Sequence, residues 1–162
     1  MKALWKILFI LILVLSDQIS KVLVSSNLVL GESKELNQFL DFTLLHNDGI
    51  AFSLLDDGGE ISRWILVLII SFLLCWLFYT LFNATKRSIL ENLSLLFIIG
   101  GGLGNLIDRI SWGYVIDFIH LHYEARSFYV FNLADSFITI GATLYIIFFL
   151  FFEKKTNENS FS

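Results

Sequence analysis

Apolar residues gather in four long runs, separated by two longer mixed segments and one short basic link. The runs cover about 3–24, 64–82, 88–107 and 133–152. A helix needs about 20 such residues to cross the hydrocarbon of a bilayer, so the pattern predicts four transmembrane helices. The second run carries no charge, and the third closes in a glycine-rich turn, Gly100-Gly101-Gly102-Leu103-Gly104. The segment 25–63 is too long for a simple connector. Within it Phe39, Asp41, Thr43 and Leu45 alternate with Leu40, Phe42, Leu44 and His46, the period of a strand lying at a membrane surface. Asp56-Asp57-Gly58-Gly59 reads as a turn before the second run. The segment 108–132 holds β-branched and aromatic residues at 114–123, which suit a strand pairing with the first. No repeat or low-complexity stretch interrupts this plan, and 1–162 reads as one polytopic membrane domain.

Composition agrees with the pattern. Of 162 residues, 56% are hydrophobic and 16% charged, with a mean hydropathy of +0.74. A soluble domain carries about a quarter charged residues. The net charge of −4 offers no basis for nucleic-acid binding. The single cysteine, Cys75, lies mid-chain in an apolar run and reads as packing. Lys2 and Lys6 ahead of an apolar run resemble a signal peptide, yet no small-x-small cleavage site follows. Asp17 and Lys21 stand in its place, so the first helix is expected to be retained.

Basic residues set the orientation. Lys2 and Lys6, Lys86 and Arg87, and Lys154 and Lys155 all fall on one side of the four spans. That side is cytoplasmic by the positive-inside rule, with both termini on it. The two longer segments then lie outside the cell membrane.

Several polar groups in this apolar chain need a reason. A carboxylate at mid-bilayer costs roughly 2.5–3.5 kcal/mol on insertion scales. Asp17 and Lys21 are four apart, in the favourable order for a helical ion pair. They either neutralise each other or support an outer site. Gly101, Asn105, Asp108 and Arg109 fall near one face of the third run and should point into the bundle or a wet cavity. Asn132 and Asp135 suit a helix start, Asn as N-cap and Asp as a first-turn acid. A carboxylate held that way remains available for catalysis. Asn47, in Asn47-Asp48-Gly49, reads as a turn residue by type. Asp117, between Ile116 and Phe118, has no such structural account. Paired with Asp135 it could share a proton and activate water, with Arg109 as a counter-charge.

Other hydrolytic chemistries are missing. His-Glu-x-x-His, Gly-x-Ser-x-Gly, Gly-x-Gly-Asp, Walker A and dinucleotide fingerprints do not occur. His120 and His122 would share a strand face, but their local pattern lacks a third zinc ligand. No metal and no cofactor are expected, and paired carboxylates remain.

The motifs Asp17-Gln18-x-x-Lys21, Asn47-x-Gly49-x-Ala51-Phe52-Ser53, Gly101-x-x-Gly104-Asn105-x-x-Asp108-Arg109, Val115-Ile116-Asp117-Phe118 and Phe131-Asn132-x-Ala134-Asp135-Ser136 occur in this order. Together they resemble the bacterial signal peptidase II family, the lipoprotein signal peptidases. That resemblance implies four transmembrane helices with a small extracytoplasmic β cradle in the bacterial cytoplasmic (inner) membrane. It implies an aspartic endopeptidase that cuts diacylglyceryl-modified prolipoproteins just before the lipidated cysteine, with Asp117 and Asp135 as catalytic dyad. Asp17, Lys21, Asn47, Gly101, Asn105, Arg109 and Asn132 would line or brace the site at the extracytoplasmic face. Expected partners are lipidated substrate, membrane lipid and globomycin-type inhibitors, and the enzyme is expected to act as a monomer. Two other classes compete: a proton-coupled carrier, which would more often show repeats and helices interrupted near mid-membrane, and a structural adaptor, against which the polar faces speak.

Overall fold

The structure, a computed structural model, describes residues 2–49, 60–83, 87–123 and 126–152. Four helices dominate it: α1 (Ala3–Ser25), α2 (Glu60–Asn83), α3 (Ile89–Ser111) and α4 (Leu133–Phe151). Each is long and apolar enough to cross a membrane. Most of their large apolar side chains are exposed, among them Phe72, Tyr79, Leu68 and Ile12, as expected when lipid is the solvent.

Helix α3 is central and packs against the other three. It has the lowest mean hydropathy of the four, 1.5, because its polar residues face protein and not lipid. A capping box starts it: Ser88 Oγ accepts from Glu91 N at 3.0 Å and Glu91 Oε2 accepts from Ser88 N. The expected glycine-rich turn at its end is not a turn. Gly100–Gly104 lie mid-helix, and α3 runs on to Ser111, past the expected end at 107, so Asp108 and Arg109 sit on helix and not in the outer loop. The glycines permit close contact. A methyl group on Gly104 would lie 2.5 Å from Asp17 Oδ2, and one on Gly101 would run into the Ala134 carbonyl.

Strands β1 (Ser33–Asn37), β2 (Leu40–Asn47), β3 (Val115–Tyr123) and β4 (Arg126–Ser127) form a sheet in that order. β2 pairs with β3, as the two segments suggested, and the pairing is antiparallel. The simple alternation along β2 fails, however. Phe42 pairs with Ile119 and Leu45 with Asp117, so β2 carries one extra residue between them, a β-bulge. The bulge moves Leu45 and Asn47 to the face opposite Asp41, the face that carries Asp117. On the other face Leu44, Ile116 and Phe118 bury against Val24 of α1. Strand β1 was not foreseen. It is polar and exposed along its length, with Lys34 and Glu35 at its centre, a composition suited to an unpaired edge. The predicted turn at Asp56–Gly59, the residues Ala51–Ser53, and the basic residues Lys86, Lys154 and Lys155 lie outside the described residues.

Candidate active site

Asp117 stands on β3 and Asp135 in the first turn of α4. The chain entering α4 is tied to β3 at this point. Ile119 N donates to Phe131 O at 2.7 Å, and Phe131 N donates back to Ile119 O at 3.0 Å. This short bridge delivers Asn132 to the side of Asp117.

Asn132 joins the two aspartates. Its Oδ1 accepts from Asp135 N at 2.9 Å, and Asp135 Oδ2 lies 3.4 Å from Asn132 N, a capping box that starts α4. Its Nδ2 donates to Asp117 Oδ1 at 2.6 Å and to Asn105 Oδ1 at 3.2 Å. Asn105 Nδ2 in turn donates to Asp135 Oδ1 at 2.7 Å. Two side-chain amides therefore hold both carboxylates in one network. The capping reading of Asn132 and Asp135 is realised, while other atoms of the same residues bond to Asp117 and Asn105.

Asn47 shows the same economy. Its Oδ1 accepts from Gly49 N at 3.0 Å and closes the expected turn, while Nδ2 donates to Asp117 Oδ2 at 2.9 Å. Both oxygens of Asp117 thus receive amide N–H groups. Asp117 is 3% exposed. Burial pushes its carboxyl up to about 6, and the nearby Asp135 charge adds to this; the bonds from Asn47 and Asn132 pull the other way. A carboxyl at that value is partly protonated near neutrality, the condition for a shared-proton pair. Asp135 is half-buried and borders an open groove of about 390 Å³ lined also by Phe131, Ser136, Thr139 and Ile140.

Asp17 and Lys21 lie behind this network. Both are buried and form an ion pair at 2.7 Å. Lys21 also meets Asp108 at 2.8 Å and donates to Asn105 Oδ1 at 3.2 Å. Gly101 lies in the α3–α4 contact, where its missing side chain makes room for Ala134. Arg109, expected as a counter-charge, lies close enough to feel both aspartates. Among the described residues it makes no direct ion pair with either aspartate; its Nη1 donates to Asn105 O at 3.3 Å, and its Nε is buried without a hydrogen-bond partner.

Three contributors were not among the predicted site residues. Asp108 lies on the polar face that the spacing indicated, and its Oδ2 accepts from Ile116 N. Gln18 donates to Asp108 Oδ1 at 2.8 Å and to Gly104 O at 3.1 Å. Arg63 of α2 donates to Arg109 O and Ile110 O, fixing the end of α3; no sequence pattern marks it. On the far face of the sheet His120 and His122 do lie side by side. Asp41 comes from the neighbouring strand, 3.6 Å from His120 Nδ1 and 3.0 Å from His122 Nε2.

The Signal peptidase (SPase) II family matches residues 9–151 of this chain. The lipoprotein signal peptidase of Brucella ovis is 46% identical over 149 residues, covering 90% of this chain and 89% of that protein. The lipoprotein signal peptidase of Teredinibacter turnerae is 42% identical over 136 residues, 84% of this chain and 81% of that protein. Among solved structures, one described as a bacterial membrane enzyme superposes with a TM-score of 0.79 at 31% identity, covering 93% of this chain and 95% of that one.

Proposed function

This chain belongs to the signal peptidase II family, and on that premise we propose that Asp117 and Asp135 are the dyad with which it works. The protein is an aspartic protease that removes signal peptides from prolipoproteins. It is a multi-pass membrane protein of bacteria. The observation that carries the dyad is the amide bridge: Asn132 Nδ2 on Asp117, Asn105 Nδ2 on Asp135, and Asn132 Nδ2 on Asn105 Oδ1.

In the reaction one carboxylate takes a proton from water as the water oxygen attacks the scissile carbonyl. The other, protonated, donates to the carbonyl oxygen, giving a gem-diol. Burial, which raises the Asp117 carboxyl, favours Asp117 as the starting acid, with Asp135, beside the groove, as base. Both hydrogens of Asn132 Nδ2 are engaged, by Asp117 and Asn105. Asn105, which gives Asp135 one of its two amide hydrogens, is the better donor toward the gem-diol. Collapse breaks the C–N bond, the amine leaves with a proton returned by the dyad, and the signal peptide leaves as a carboxylate.

The site sits at the membrane edge, where a diacylglyceryl cysteine would hold the scissile bond. The distribution of basic residues supports both termini in the cytoplasm and the dyad at the extracytoplasmic face of the inner membrane. Arg109 contributes positive charge near the pair. We expect the chain to act as one polytopic unit, as a monomer, and to be blocked by globomycin-type cyclic peptides that fill the groove beside Asp135.

The test is cleavage of a lipidated prolipoprotein by purified Asp117→Asn and Asp135→Asn proteins. Each should lose turnover by about 10²-fold or more while staying folded. Near-parent turnover in either would sink the dyad. Cleavage in detergent, with no ion gradient, distinguishes this reading from a carrier.

A further inference from the structure

A second pair of carboxylates stands behind the dyad. The residue before Asp117 is Ile116, whose N–H donates to Asp108 Oδ2 at 3.1 Å. The residue before Asp135 is Ala134, whose N–H donates to Asp17 Oδ1 at 2.9 Å. Both of these rear carboxylates close on one ammonium: Lys21 Nζ is 2.7 Å from Asp17 and 2.8 Å from Asp108. The third contact of that nitrogen is Asn105 Oδ1 at 3.2 Å, on the amide that donates to Asp135. Asp17, Lys21 and Asp108 are each at most 1% exposed.

We propose that Lys21 is a positioning residue for the peptidase reaction: by clamping Asp17 and Asp108 it sets the separation of the two backbone segments that carry the dyad, and by occupying Asn105 Oδ1 it turns that amide's N–H toward Asp135. The inference rests on the reading of Asp117 and Asp135 as the dyad.

The chemistry permits one arrangement of the Asn105 amide. An amide has one acceptor and one donor end. Lys21 Nζ and Asn132 Nδ2, both donors, meet its oxygen at 3.2 Å each. A flipped amide would point N–H groups at two donors and leave Asp135 Oδ1 facing an oxygen. The cluster is also well satisfied, since Gln18 supplies the bond to Asp108 Oδ1. Gly104 makes the room, because any side chain there would strike Asp17.

Stability is a weak reason for such a cluster. Desolvating buried ions offsets much of their attraction, and apolar replacements of whole clusters are often neutral or stabilising. Geometry is the stronger reason. A displacement of about 1 Å at a reacting group can cost about 10²-fold in rate.

The experiment compares two variants with the parent at matched folded concentration, on a lipidated prolipoprotein substrate. The triple variant Asp17→Asn/Lys21→Met/Asp108→Asn removes every charge of the cluster together and leaves no unpaired ion. Lys21→Arg keeps the charge but spreads its donors over a planar head, so three acceptors cannot converge on one nitrogen. Both should fold, hold KM within about threefold of the parent, and lose kcat by about tenfold or more. A kcat within about threefold of the parent in either folded variant overturns the proposal. Failure of both to fold also overturns it, because Lys21 would then serve the fold and not the dyad. Asp117→Asn runs in parallel. If it retains turnover, the dyad reading falls; if it is inactive while the Lys21 variants match the parent, only the positioning role falls.

Discussion

The two ends of this helical bundle are held together by different forces. At the end far from the dyad, Ile10, Leu77, Leu81, Leu95, Leu96 and Ile99 pack in one apolar cluster. Lys6 Nζ, donating to Leu81 O at 2.8 Å, ties α1 to α2 there. At the dyad end the same helices meet through amides, carboxylates and an ammonium. Lipid is as apolar as leucine, so helices in a membrane gain little from hydrophobic contact and rely on shape and hydrogen bonds. The far end relies on shape, which leaves room for substitution by residues of similar volume. The dyad end relies on direction, where moving one donor misplaces several groups.

Substitutions at the two ends should separate these modes. Asn132→Ala should have the largest effect on turnover. It removes the α4 cap, worth about 1 kcal/mol, and frees both Asp117 and Asn105; kcat should drop by about 10²-fold. Measuring kcat and thermal stability on the same preparation checks both parts. Gly101→Ala should come next. The new methyl meets a backbone oxygen of α4, which cannot swing aside, so α3 and α4 must part. Overpacking of this sort costs about 1–3 kcal/mol, and turnover should fall about tenfold as Asn105 draws away from Asp135.

A smaller effect concerns pH. With Asp117 near 6 against an ordinary 3.8, the protonated form acting as acid is present below that value and is lost as pH rises through it. The alkaline limb of kcat/KM should therefore reflect a group near 6. Asn47→Ala removes a bond that favours the ionised form, so the limb should move to higher pH; a move to lower pH would contradict the assignment. The same sign applies to stability, since a carboxyl raised on folding costs stability as pH climbs from about 4 to about 6. The smallest effect on catalysis belongs to the far end. Leu96→Ala, at a fully buried site, should cost about 2–4 kcal/mol of stability yet leave kcat per folded molecule unchanged. A fall in kcat there would mean that the two ends are mechanically coupled.

The helices were legible in the sequence because hydrocarbon imposes a length and a composition. Ends were less so: α3 runs on to Ser111, past the expected 107, with its glycines packed against close neighbours. The bulge in β2 left no trace in an alternation that looked regular, yet it is what puts Asn47 on the same face as Asp117. At the site, Asp117 and Asp135 stood out by the cost of a carboxylate in an apolar setting. Asp108 shared a predicted face but gave no hint that it held the backbone before Asp117. Arg63 bonds to main-chain carbonyls, and a partner without a side-chain identity leaves no pattern to read. Arg109 could be read as a counter-charge, but its hydrogen bond to Asn105 O is a matter of side-chain direction that spacing does not encode.

The bond from Ala134 N to Asp17 Oδ1 joins residues 117 positions apart, the first helix to the last. Ribosomes make the first helix early and the last one late. A nascent chain that has inserted three helices owns Asp117 but neither Asp135 nor the groove beside it. On the proposed dyad such a chain lacks one of its two carboxylates, so hydrolysis is expected only once the final span is in place.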